Sequence, residues 1–185
     1  MDESIERILT FWLEEVGPEN WYKESAELDA RCAQEFGDLL ERGMSGALSE
    51  WAITSRGALA LLILLDQFSR NIHRGTAQAF AADRMSCRIA KRAISRGLDM
   101  EIAEPERQFF YLPLMHSEVL ADQDACIRQI LLKMPEGGDY NLPHAINHRD
   151  VIRKFGRFPS RNAALGRNDS DAELAYRADG GYMSG

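Results

Sequence analysis

Residues 54–65 read Thr54-Ser55-Arg56-Gly57-Ala58-Leu59-Ala60-Leu61-Leu62-Ile63-Leu64-Leu65. From Ala58 onward every side chain is apolar, and a helix without a polar face belongs in a core. Thr54 or Ser55 can cap its start. The apolar run is eight residues long and stops at Asp66, whereas a membrane span needs roughly 20. The stretch therefore predicts the central helix of a cytoplasmic protein that does not enter a membrane.

The same helical period extends in both directions. Ile5, Ile8, Leu9, Trp12, Leu13 and Val16 follow i, i+3, i+4, i+7 spacing and predict a first helix that Gly17-Pro18 stops. Ser25 can cap a second helix carrying Leu28, Cys32, Phe36, Leu39 and Leu40 on one face, with Gly43 at its end. A short helical piece is expected over 47–52. Asp83 can cap the next helix, with Met85, Ile89, Ala93 and Ile94 inward and Gly97 closing it. Glu104-Pro105 reads as a helix start, and Pro113 should break that helix. Further helices are expected over 122–134, from Pro143 to Phe155 with Gly156 as the stop, and after Ser170-Asp171-Ala172-Glu173, whose spacing is that of a capping box. No stretch alternates with period two. The expected fold is all-α: antiparallel helical hairpins stacked into one domain over 1–178, with 179–185 a flexible C-terminal tail.

Composition narrows the function classes. The 185 residues are 45% apolar and 28% charged, with 22 Lys plus Arg against 29 Asp plus Glu and a formal charge of −7. Such an acidic chain lacks the basic surface that neutralises phosphates, so nucleic acid is not an expected partner. The charge is uneven: residues 1–50 hold 13 acids and 4 bases, whereas 141–168 hold six bases and one acid, Asp150. Cys32, Cys87 and Cys126 are far apart with no Cys-x-x-Cys, which reads as core residues in a reducing compartment rather than a zinc site or disulfide framework. The acidic opening Met1-Asp2-Glu3-Ser4 is unlike a secretion signal. Trp12, Trp21 and Trp51 read as core or interface anchors.

Two polar segments could carry chemistry. Asp66-Gln67-Phe68-Ser69-Arg70-Asn71-Ile72-His73-Arg74-Gly75 follows the apolar run, and Phe155-Gly156-Arg157-Phe158-Pro159-Ser160-Arg161-Asn162 lies near the C-terminus. They echo each other in Phe-Ser-Arg-Asn against Phe-Pro-Ser-Arg-Asn. Guanidinium forks and amides beside an apolar anchor suit a bound carboxylate or phosphate. The candidate ligand-binding residues are Arg70, Asn71, Arg74, Arg157, Arg161 and Asn162. The alternative is equally concrete: Asp66 and Arg70 are i, i+4 partners, and arginines can fasten helix ends. His116, Glu118 and His148 are the candidate acid–base residues. His144 and His148 have a metal-compatible spacing but lack the Glu of His-Glu-x-x-His, so no metal or other cofactor is expected. Nucleophile and nucleotide-loop signatures are absent from the sequence.

The chain resembles an uncharacterised, mainly bacterial family, the domain of unknown function 924. The resemblance rests on Phe11-Trp12, on Leu64-Leu65-Asp66-Gln67-Phe68-Ser69-Arg70-Asn71 with Arg74-Gly75-Thr76 and Ala79-Phe80, on Phe109-Phe110-Tyr111-Leu112-Pro113 with His116-Ser117-Glu118, and on His148, Ile152 and the Phe155 to Arg167 run. It implies a helical-hairpin fold similar to tetratricopeptide repeats and brings no established activity, cofactor or catalytic residues. Ser69 stands where the family usually has Pro, and Ser160 where His is common, which weakens any mechanism needing a catalytic His beside Arg161.

The expected function is binding of an anionic small molecule or acidic peptide group in an Arg-, Asn- and His-lined pocket. Two alternatives stay open: a hydrolase or lyase using a His/Glu acid–base pair there, and a helical scaffold for protein partners whose arginines are structural.

Overall fold

In the computed structural model, which describes residues 2–183, α1 (Glu3–Leu9) begins where the Asp2 side chain accepts the Ser4 N–H. It runs on as a π-helical turn over Thr10–Val16 and ends at Gly17, whose φ of +71° only glycine adopts freely. Ser25 caps α2 (Ala26–Met44) as expected, accepting the Leu28 N–H. A 3₁₀ turn over Ser49–Ile53 precedes α3 (Ser55–Leu62), which Thr54 caps through the Gly57 N–H. The helix does not stop near Asp66. It continues as a π turn over Ile63–Phe68 and then as α4 (Ser69–Ile72), so the first polar segment lies largely within the central helix rather than after it.

The inward face of α5 (Asp83–Ser95) also differs from expectation. Ser86, Cys87, Ala90 and Ala93 are buried, whereas Met85, Ile89 and Ile94 are only half-buried. Small residues set the spacing there, which hydrophobicity alone does not reveal. Asp83 is the first helical residue, and Ala82 occupies the cap. After Pro105 the chain forms a 3₁₀ turn, Glu106–Phe110, and Pro113 lies in the short α6 (Leu112–Met115).

The chain divides into two compact units, Met1–Pro113 and Leu114–Gly185. Met1, Ser184 and Gly185 lie outside the described residues, the last two within the expected tail. In the first unit α3 packs on α1 and α5, and α2 packs on α4 and the π turn that precedes it. Its core is an aromatic cluster: Phe11 lies 5.0 Å from Phe36 and 5.7 Å from Phe68, and Trp12 lies 5.3 Å from Phe68. Full burial of each such side chain contributes about 1.5–3 kcal/mol.

The second unit contains α7 (Leu120–Lys133), α8 (Gly138–Phe155) and α9 (Asp171–Ala178). α7 and α8 pack together across a short connection. α8 starts five residues before Pro143, the expected first residue, because Gly138 lets the backbone approach α7. A Cβ there would lie 3.2 Å from Ile130 Cγ2. Gly156 stops α8 with φ +71°, and the Ser170–Glu173 capping box forms as read from the sequence. Val151, Ile152 and Phe158 make a small core against Phe155, Tyr176 and Tyr182. Among the described residues there is no strand, and no helix is long and apolar enough to cross a membrane.

Candidate functional site

The first polar segment belongs to the first unit, and its arginines meet carboxylates there. Arg70 Nη1 lies 3.1 Å from Asp66 Oδ1 and 3.0 Å from Asp83 Oδ1, and it donates to the Asp66 carbonyl at 2.8 Å. The Arg70 side chain is 18% exposed and that of Asp66 only 2%, so this is a fastened, largely dry cluster. Asn71, one residue on, is buried. Arg74 forks onto Asp29 with bonds of 2.7 and 2.9 Å. These contacts tie α4 to α2 and α5.

The second segment and the acid–base candidates come together in the second unit. Arg161 is buried, donates to the His116 carbonyl at 2.9 Å and lies 4.6 Å over the Phe158 ring. Glu118 accepts both forks of Arg167 at 2.8 Å and the Phe158 N–H at 2.9 Å. Burial alone would raise the Glu118 carboxyl, but Arg167 and the Phe158 N–H outweigh it and hold the group below the usual carboxylate range. Arg157 forks onto Glu173 at 2.7 Å, and this pairing keeps Glu173 well below its ordinary value. Asn162 donates to Asp169 Oδ1 at 2.7 Å.

His148 is the most perturbed base in this unit. It is 4% exposed, and burial, reinforced by nearby His116, pushes its pKa down to about 3. Its Nδ1 lies 2.8 Å from the His144 carbonyl, an acceptor, so Nδ1 carries the proton and Nε2 the lone pair. The His148 ring stands 6.2 Å from His116, 5.4 Å from Phe158 and 5.2 Å from Tyr182. The Tyr182 hydroxyl reaches His144 Nδ1 at 3.0 Å.

Two polar atoms flanking Arg161 stand out. Asn162 Oδ1 and Ser160 Oγ are buried without a hydrogen-bond partner among the described residues. Buried polar atoms are normally satisfied, so such a pair asks for an explanation. The Asn162 bond to Asp169 fixes the amide, leaving Oδ1 as an acceptor. Concavities of about 270 Å³ beside Glu15, Glu24 and Arg31, and about 390 Å³ beside Ile53, Arg92 and Arg96, include none of the candidate side chains. Among the described residues no group of three or more His, Cys, Asp or Glu side chains is placed to hold a metal ion.

The family model described as bacterial protein of unknown function (DUF924) matches residues 8–181. The chain belongs to the DUF924 family. A solved structure described as a protein of unknown function, ATU0120 from Agrobacterium tumefaciens, is 38% identical and superposes with a TM-score of 0.87, covering 95% of this chain and 97% of that one. No curated protein matches the chain.

In this DUF924 chain the two departures noted in the sequence have distinct surroundings. Ser69 is buried and donates to the Gln78 and Ala79 carbonyls. Ser160 carries a buried hydroxyl oxygen without a hydrogen-bond partner among the described residues. Sequence reasoning missed Asp169, Glu173 and Tyr182 as members of this neighbourhood. Glu173 was visible only as a capping residue, and no local pattern marks the other two.

Proposed function

We propose that this DUF924 protein binds a small anionic molecule, or the acidic end of a peptide, at the Ser160-Arg161-Asn162 strip of its second unit. The first segment, with Arg70 and Arg74, serves as internal fastening. The observation that carries this reading is the pair of buried, unpartnered atoms, Asn162 Oδ1 and Ser160 Oγ, on the residues that follow and precede the buried Arg161 in sequence. An acceptor and a hydroxyl next to a cation suit a ligand with both an anionic group and a hydroxyl or amine. His148, neutral with its lone pair on Nε2, is a second acceptor in the same neighbourhood. Glu118 positions Arg167 and the Phe158 backbone. Acid catalysis near neutral pH would require a protonated His148, which its burial opposes, so a neutral His148 keeps only the role of a general base.

Thermal melting tests this with phosphate, dicarboxylates, hydroxy acids and acidic peptides. A ligand at 100 times its dissociation constant adds about 2.7 kcal/mol to the folded state. The expected result is a saturable upward shift that Arg161→Ala removes while still folded and that Arg74→Ala keeps. A shift indifferent to Arg161→Ala, or no shift with any of these ligands, overturns the reading.

A further inference from the structure

The outward face of α7 carries little of the charge that a solvent-facing helix face normally shows. At 3.6 residues per turn, Leu120, Leu131, Asp124, Arg128, Ala121 and Leu132 fall within an arc of about 120°. Leu120, Leu131 and Leu132 are 39%, 61% and 73% exposed. The opposite face, with Gln123, Cys126 and Ile130, is buried. The helix is thus apolar on both sides, a pattern that belongs to helices covered on both sides. Only two charges interrupt the outer face, Asp124 and Arg128, opposite in sign, one turn apart and exposed. Neither has an ion-pair partner among the described residues.

We propose that this face is where a second copy of the chain docks, α7 running antiparallel to α7 about a two-fold axis level with residue 126. That symmetry sets Asp124 of each copy against Arg128 of the other, at the middle of the face. It also brings Leu120 level with Leu132, and the small Ala121 level with Leu131, at the two edges of the face. A two-fold interface must be self-complementary, and opposite charges equidistant from one level meet that condition. A single-sign face would repel its own copy.

Molar mass measured by light scattering across a concentration series tests the pairing. The mass is expected to rise from 20.9 kDa toward twice that value. Leu132→Glu, an exposed position whose folding circular dichroism will verify, should hold the mass at 20.9 kDa at every concentration. Asp124→Arg alone and Arg128→Asp alone should each stay monomeric, and an equimolar mixture of the two should recover the twofold mass, because each then meets its opposite charge. A wild-type mass constant at 20.9 kDa overturns the proposal. So does a dimer that survives Leu132→Glu, or a mixture that fails to recover. Arg161→Ala leaves this readout unchanged, which separates it from the binding site.

Discussion

Replacing His148 by Asn should flatten the acid side of the stability profile. The folded pKa is about 3, against an ordinary value of 6.5, so between these limits the unfolded chain takes up a proton that the folded chain refuses. Stability is then fully present above pH 6.5 and falls as pH drops toward 3. Working the linkage from pH 7 to pH 5 gives a loss of about 2 kcal/mol from this one group. Glu118 and Glu173, both held low by arginine partners, also lose stability on acidification, but only as the pH falls through their ordinary value of 4.5 and below. The interval from pH 7 to 5 therefore isolates the histidine. An Asn amide can still donate to the His144 carbonyl, as Nδ1 does at 2.8 Å, while removing the titration. The assay is urea unfolding at pH 7, 6 and 5 for both proteins. Parallel profiles for wild type and His148→Asn would refute the argument that burial keeps this imidazole neutral.

Arg70→Met should cost about 3–5 kcal/mol, because it removes the cation that Asp66 and Asp83 share in a largely buried cluster; calorimetric melting checks this, and a loss under about 1 kcal/mol would place the ion pairs with weak surface bridges. Gly57→Ala should destabilise by about 1–3 kcal/mol despite the better helix propensity of Ala. Its Cβ would clash with the Trp51 carbonyl oxygen, in backbone that has no rotamer to yield. Chemical denaturation reads the sign, and a stabilised variant would contradict the close approach.

Helix boundaries set by local chemistry were legible in the sequence. Ser25, Thr54 and Ser170 cap the helices they were expected to cap, and Gly17 and Gly156 end theirs with positive φ. Boundaries set by tertiary packing were not. The apolar run ends at Leu65, yet Asp66 to Asn71 stays within the helix, where Arg70 meets Asp83 from another helix. The early start of α8 depends on Gly138 lying against Ile130, a contact that no periodicity encodes. The candidate site shows the same division. The arginines and amides were evident from composition and echo, but their carboxylates lie far along the chain. Asp29 for Arg74 is 45 residues away, and Glu118 for Arg167 is 49. Local pattern cannot choose among distant acids in a chain with 29 of them.

The π turn at Ile63–Phe68 makes rotational register an adjustable part of this protein. All six of its residues are buried, and the helix resumes α geometry at Ser69. A π turn is in effect a one-residue insertion accommodated without breaking the helix. Rewinding this turn as regular α-helix with all its residues kept would swing everything beyond by about 100°. Arg70 would turn away from Asp83, and Phe68 would leave the aromatic cluster. One residue of helix length thus decides which side of the rod faces inward, and the change would leave the composition of the helix almost untouched.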